Sequence, residues 1–164
     1  MRSHNHVASH YPSFVRYGET MVPLREILGS NFMGLDHVGL AVNDLDDSLN
    51  DWKTLGLSSV HQERNIEQGI DEAMVALPND IFIQLIAPLG PDTTIAKFLD
   101  KNGEGLQQIA FTVSSIDQAM HDLTQANIRL IYPEARIGTH QSRINFIHPK
   151  DAGGVLVELV EHAH

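Results

Sequence analysis

Two stretches of the chain determine its fold, because they are copies of one pattern: LDHVGLAVNDLDDSLNDW at 35–52 and LQQIAFTVSSIDQAMHDL at 106–123. At an offset of 71 residues nearly all of their apolar positions coincide, and Asp46 falls on Asp117. With a further shift of three residues, the apolar segment around Gln84 falls on the segment around Glu158. A unit that occurs twice at a fixed spacing predicts a domain built by duplication.

Each copy predicts the element order βαβββ. In the first half an apolar strand at 35–42 precedes a helix with Leu45, Leu49 and Trp52 at helical spacing, ending before Gly56. Strands near 57–63, 71–77 and 81–87 complete that half, and a short helix around 94–101 leads to the second. The second half repeats the plan with strands near 106–113, 128–132, 143–147 and 155–160. We therefore predict an α+β fold in which two tandem βαβββ modules form a curved mixed sheet around a metal or substrate cavity.

The duplicated part does not account for the whole chain of 164 residues. We predict an N-terminal extension at 1–32 and one domain at 33–164, with its modules at about 35–88 and 106–161. The extension is polar until Met21, and Pro23 and Gly29 are suited to begin and end a short helix within it.

Composition excludes several classes of function. The chain has no cysteine, which rules out disulfide scaffolds, thiolate metal sites and cysteine nucleophiles. Eleven basic residues face 21 acidic ones, a net charge of −10 that disfavours binding to nucleic acid. No apolar run approaches the ~20 residues needed to cross a membrane. We therefore expect no nucleic-acid or membrane partner and a cytoplasmic location.

Four polar residues interrupt strands that are otherwise apolar, namely His37, Gln84, Gln108 and Glu158. The repeat relates His37 to Gln108 and Gln84 to Glu158, so folding the two halves together brings two equivalent pairs towards one point. A buried carboxylate needs a partner, and a divalent cation with two open coordination positions satisfies all four side chains. The alternative is four core residues that are hydrogen-bonded separately.

The chain resembles the vicinal oxygen chelate superfamily, and within it the methylmalonyl-CoA epimerase family. The matching stretches run from 35 to 161 and include LDHVGLAV, EQGIDEAMVALP, IQLIAPLGPDTTIAKFLDKNGEGL, RINFIHPK and GGVLVELVE. The combination of IAKFL, NGEGL and HPK is more specific than the superfamily pattern. The resemblance implies a metal-dependent isomerase that inverts the α-carbon of an acyl-CoA thioester, methylmalonyl-CoA or an analogue.

The resemblance also implies the metal ligands, which fall on His37, Gln84, Gln108 and Glu158. The family usually has two consecutive histidines where this chain has Gln107 and Gln108, the second being the ligand. An amide oxygen is a weaker donor than imidazole, so we expect reduced affinity for the divalent ion, whether cobalt, manganese, nickel or zinc.

Further roles follow from the same resemblance. Glu72 and Glu158 become the two catalytic carboxylates, while Lys97 and Lys150 become candidates to hold the CoA phosphates. Strand alternation alone already puts Glu72 on one face with Met74 and Ala76. The resemblance implies a homodimer.

A second difference from the family lies in the loop before the RINF strand. His140 and Gln141 stand where relatives often have paired glycines, in a loop that borders the substrate entrance. We therefore expect the shape of the accepted substrate to differ.

The same sequence features are compatible with two other functions. One is lactoylglutathione lyase chemistry of the glyoxalase I type, which isomerises a hemithioacetal on the same scaffold. The other is a metal-free module in which Gln107 and Gln108 hydrogen-bond a small ligand directly.

Overall fold

A computed structural model describes residues 23–163 and contains both predicted modules. In the first half the helices are α1 (Leu24–Leu28), α2 (Leu45–Thr54) and α3 (Thr94–Asn102), and the strands are β1 (Phe32–Ala41), β2 (Ser59–Asn65), β3 (Ile70–Leu77) and β4 (Ile81–Pro88). The second half contains helix α4 (Ile116–Gln125) and strands β5 (Gly105–Val113), β6 (Arg136–Ile137), β7 (Arg143–Ile147) and β8 (Leu156–Glu161). Among the described residues, no helix is long and apolar enough to cross a membrane.

All eight strands form one mixed sheet in the order β2-β3-β4-β1-β5-β8-β7-β6. Strands β1 and β4 are parallel, as are β5 and β8, while β1 and β5 join the two modules in antiparallel pairing. The order is therefore symmetric about the junction between β1 and β5, as expected of a duplication. The first strands of the two modules, which carry His37 and Gln108, lie side by side at the centre.

The two faces of the central strands divide as alternation predicts. On β1, Leu40 and the following Val42 pack with Leu49 and Trp52 of α2, together with Val75 of β3. The opposite face of β1 carries His37 and Gly39. A β-carbon built on Gly39 would lie 2.5 Å from Cγ of Gln108, so glycine is needed there to let the Gln108 side chain cross.

The prediction of a strand at 128–132 is wrong, because the structure has only a single β-bridge there, between Leu130 and Ile147. The backbone of Ile131 still donates to Phe146, but the next amide, of Tyr132, bonds instead to the side chain of Asn145. Asn145 is fully buried and also donates to the carbonyl of Tyr132. A side chain thus replaces the backbone ladder, and Pro133 follows directly.

The predicted short helix before the first module exists as α1, and it packs on the second module. Leu24, Ile27 and Leu28 contact a cluster that includes Ile116 and Leu123 of α4. The described part of the predicted extension is therefore attached to the domain core, whereas residues 1–22 lie outside the described residues.

Asn31 fixes that attachment. Its amide donates to the carbonyl of Ser115 at 2.9 Å, and its oxygen accepts from Ser114 Oγ and from the backbone of Ser115. Since Ser115 also caps α4, we expect Asn31→Ala to lower the free energy of unfolding by about 2–3 kcal/mol in urea titrations. Asn102→Ala is the control, because Asn102 makes one exposed bond at the end of α3, and it should cost well under half as much.

Candidate active site

The four polar side chains singled out by the sequence meet on one face of the sheet. Nε2 of Gln108 lies 2.6 Å from Oε2 of Glu158, 3.1 Å from Oε1 of Gln84 and 3.3 Å from Nε2 of His37. Nε2 of His37 lies 3.1 Å from the same Glu158 oxygen. All four residues are buried, each about 5–6% exposed. The predicted convergence of the two repeat-related pairs is therefore observed.

Asp36 holds the His37 ring from behind. Strand β1 carries one extra residue at Asp36, since Leu35 pairs with Phe111 and His37 with Ala110. Such a bulge re-aims a side chain, and it lets the Asp36 carboxylate accept from Nδ1 of His37 at 2.8 Å. Nε2 of His37 is thereby turned towards Gln108 and Glu158.

Three donors surround the Asp36 carboxylate. Besides His37, Thr112 Oγ1 lies at 2.7 Å and His162 Nε2 at 2.5 Å from Oδ2. Burial opposes ionisation, but these hydrogen bonds outweigh it and lower the pKa of Asp36 to about 2. Burial likewise opposes the charged form of His37, yet its bonds to Asp36 and Glu158 raise its pKa to about 9. The site thus contains an anion that fixes the imidazole on one side and a second carboxylate on the other.

Glu72 is completely buried. It lies beside the polar cluster, which is the set of four side chains His37, Gln84, Gln108 and Glu158. One carboxylate oxygen accepts from Nε2 of Gln84, and the other accepts from Thr139 Oγ1 at 2.5 Å. Burial raises the pKa of Glu72 above its ordinary value, against the effect of these two bonds, and the nearby carboxylates of Glu63 and Glu158 raise it further. A carboxylate in this state is suited to accept and return a proton.

The loop at Thr139–Gln141 reaches Glu72 and β2 from the second module. The ring of His140 lies 3.8 Å from the ring of His61, and His61 Nε2 lies 3.2 Å from Glu63. His140 and Gln141 both have left-handed backbone, with φ of 54° and 61°. Glycine adopts that conformation at least cost, so a side chain at either position is strained. Here two side chains take those positions instead.

Sequence reasoning missed Asp36, Thr139 and His162. A signal for Asp36 was present, because it directly precedes the histidine and is the repeat equivalent of Gln107. Thr139 and His162 gave none, since each reaches its partner only through long-range folding.

The structure places the two lysines apart from these hydrogen bonds. Lys97 is exposed on α3, and Lys150 is exposed in the turn after β7. Their role in binding phosphates stays a prediction. A separate cleft of about 660 Å³ lies between the start of α2 and strands β2 and β3. It includes none of the four clustered residues. Its lining has four carboxylates against the one guanidinium of Arg64, so it is a poor site for phosphates; the four are Asp44, Asp46, Glu63 and Asp71.

The donor set fits a divalent cation. The Gln108 amide lies within hydrogen-bond distance of the His37 imidazole, the Gln84 amide and the Glu158 carboxylate, and His37 lies within that distance of Glu158. Nitrogen and oxygen ligands of these kinds suit a hard to borderline ion. The carboxylate behind His37 is the arrangement that commonly orients a histidine ligand.

Comparisons with known proteins agree with this geometry. Residues 36–146 match the model of the glyoxalase/bleomycin resistance protein/dioxygenase superfamily. The human mitochondrial methylmalonyl-CoA epimerase is 39% identical over 149 residues, which cover 88% of this chain and 84% of the human protein.

Two solved structures have nearly the same fold. The crystal structure of the epimerase from Mycobacterium tuberculosis has a TM-score of 0.79 and 54% identity, covering 83% of this chain and 92% of that one. A methylmalonyl-CoA epimerase in complex with methylmalonyl-CoA and ammonium has a TM-score of 0.77 and 40% identity, covering 80% and 96%. The chain therefore belongs to the glyoxalase/bleomycin resistance protein/dioxygenase superfamily, and its similarity within that superfamily is to methylmalonyl-CoA epimerases.

Proposed function

We propose that the chain is an acyl-CoA epimerase that acts on methylmalonyl-CoA or a close analogue. The observation that carries the proposal is a pair of buried carboxylates from different modules. Glu72 is hydrogen-bonded to Gln84, and Glu158 is hydrogen-bonded to Gln108. The carbon between a thioester and a carboxylate bears a weakly acidic proton. Inverting that carbon requires one group to remove the proton and another to return one on the opposite face.

A divalent ion of cobalt, manganese, nickel or zinc would be held by the four residues of the cluster, His37, Gln84, Gln108 and Glu158. Such an ion, when bound, would supply positive charge that stabilises the enolate formed by loss of the α-proton. Asp36 holds the His37 ring so that its Nε2 faces Gln108 and Glu158, and Gly39 leaves the space that the Gln108 side chain needs.

The two carboxylates perform the proton transfers. Glu72 removes or returns the proton on its face, and its raised pKa makes it a stronger base than an exposed glutamate. Thr139 Oγ1 donates to one carboxylate oxygen of Glu72, and the Gln84 amide donates to the other. Both oxygens of Glu72 are therefore held in place. Glu158 serves the opposite face.

The CoA phosphates are assigned to Lys97 and Lys150, because a chain of net charge −10 offers little general attraction for a polyanion. We also propose a homodimer, which the family resemblance implies, and a cytoplasmic location. Light scattering measures the first, and cell fractionation measures the second.

The test is solvent deuterium exchange. Protein purified without chelator, and protein stripped and reloaded with each of the four metals, is incubated in D₂O with methylmalonyl-CoA. We expect deuterium at the α-carbon and conversion between the epimers. The hemithioacetal of glutathione and methylglyoxal is the control substrate, and turnover of that compound alone would support a lactoylglutathione lyase instead. Binding without turnover of either would support a metal-free binding protein.

Replacement of Gln108 tests the ligand set. We expect Gln108→His to tighten the binding of Co²⁺ by about tenfold, which corresponds to about 1.4 kcal/mol, because imidazole is a better donor than an amide oxygen. Isothermal titration calorimetry measures the change. Unchanged or weaker affinity would contradict a ligand role for Gln108.

A further inference from the structure

The side-chain oxygen of Gln107 is buried, and among the described residues it has no hydrogen-bond partner. A buried carbonyl without a donor costs free energy, so such a group calls for an explanation. Gln107 directly precedes Gln108, the residue whose amide lies at the centre of the polar cluster.

Gln107 occupies the same structural position as Asp36. On β5, Gln108 pairs with Gly39 and Leu106 with Leu40, so Gln107 is the extra residue of a bulge. Asp36 is the extra residue of the corresponding bulge on β1. The two residues are 71 positions apart, which is the offset of the repeat. The bulges are therefore a duplicated feature, and each precedes a residue of the cluster.

The role of Asp36 is visible in the structure. It accepts a hydrogen bond from the rear nitrogen of His37 and so turns the other nitrogen towards the cluster. By the symmetry of the fold, the equivalent role for Gln107 is to accept a bond from the rear of the Gln108 amide.

The Gln108 amide presents its nitrogen to the cluster. It donates to Oε1 of Gln84 and to Oε2 of Glu158, two acceptors that its two N–H groups can bond, and it lies 3.3 Å from Nε2 of His37. A divalent cation at the same place needs the amide oxygen instead. Half a turn of the amide brings the oxygen inward and sends the two N–H groups outward, where they need an acceptor.

We infer that Gln107 is a positioning residue for metal binding: its oxygen accepts a hydrogen bond from Nε2 of Gln108 when the Gln108 amide turns its oxygen to the cation. The inference rests on the proposed function, because it assumes the same four ligands. This bond would give the buried side-chain oxygen of Gln107 a donor.

The test compares Mn²⁺ affinity with the stability of the metal-free protein. Gln107→Met removes the acceptor at similar size, and we expect it to weaken Mn²⁺ binding about tenfold, measured by electron paramagnetic resonance. The thermal midpoint of the metal-free variant should be unchanged or higher, because a buried unpaired oxygen has been removed. Gln107→Glu keeps an acceptor and should retain the affinity. Gln125→Met, an exposed change on α4, should alter neither quantity.

Three outcomes would overturn the inference. Unchanged Mn²⁺ affinity in Gln107→Met would show that no bond forms on binding. A lower midpoint, or loss of the fold, in the metal-free variant would show a structural role instead. Failure of the unmodified protein to bind Mn²⁺ or Co²⁺ would also contradict the ligand set in the proposed function. Deuterium exchange into methylmalonyl-CoA by the unmodified protein then shows whether the epimerase activity fails as well. That measurement does not depend on the role of Gln107.

Discussion

Glu72→Gln should lower the rate of epimerisation by about 10²–10⁴-fold and leave the metal content of the protein intact. Glutamine has the same shape as glutamate. Its amide still offers an oxygen and a donor to Gln84 and Thr139, which are the two hydrogen-bond partners of Glu72. What it lacks is the ability to accept a proton from carbon. Loss of activity would therefore reflect loss of the base.

Exchange measured from each epimer separately sharpens this test. The epimer whose proton faces Glu72 should stop exchanging in D₂O, and metal content is measured on the same preparation. Asp71→Asn is a matched control, because Asp71 is adjacent but its carboxylate pairs with Arg64. Full exchange of both epimers by Glu72→Gln would contradict the assignment of Glu72 as a base.

Glu158→Gln should have a larger effect, because it removes a metal ligand and a proton-transfer group together. We expect metal affinity to fall by at least about tenfold and epimerisation to fall by more than in Glu72→Gln. The fold should survive, since an amide oxygen at that position can still accept from Gln108 Nε2. Calorimetry with Co²⁺ and the exchange assay measure the two losses.

Saturating metal separates the two functions of Glu158. If the residue is a ligand alone, excess metal should restore activity fully, and that result would contradict its role in proton transfer. If it is also the second acid or base, activity should stay at least about 10²-fold low when the site is filled. Retention of wild-type metal affinity would contradict the ligand role.

Much of the fold was predictable because the sequence contains two copies of the same βαβββ pattern. The offset of 71 residues aligned strand with strand and His37 with Gln108, and the structure places those two residues on adjacent central strands. Isolated polar residues in apolar strands were also informative, since burying them requires partners. His37, Gln84, Gln108 and Glu158 do meet, while their role as metal ligands stays a prediction.

The strand at 128–132 shows where local pattern failed. Its apolar residues and β-branched content are typical of a strand, but the backbone ladder ends where the Asn145 side chain takes the amide of Tyr132. That competition depends on a residue 13 positions away. No local pattern reveals which of two acceptors an amide will choose.

The sequence by itself determined the duplication, the four polar residues and the family. Periodic apolar positions and repeated motifs are properties of neighbouring residues, and they can be read along the chain. Only the tertiary structure decided how those residues are aimed. The bulges at Asp36 and Gln107 are shifts in pairing between β1 and β5, and the bond from Thr139 to Glu72 joins residues 67 positions apart. Strand register and loop closure depend on the packing of the whole sheet, so the orientation of His37, Gln108 and Glu72 is fixed only when both modules fold together.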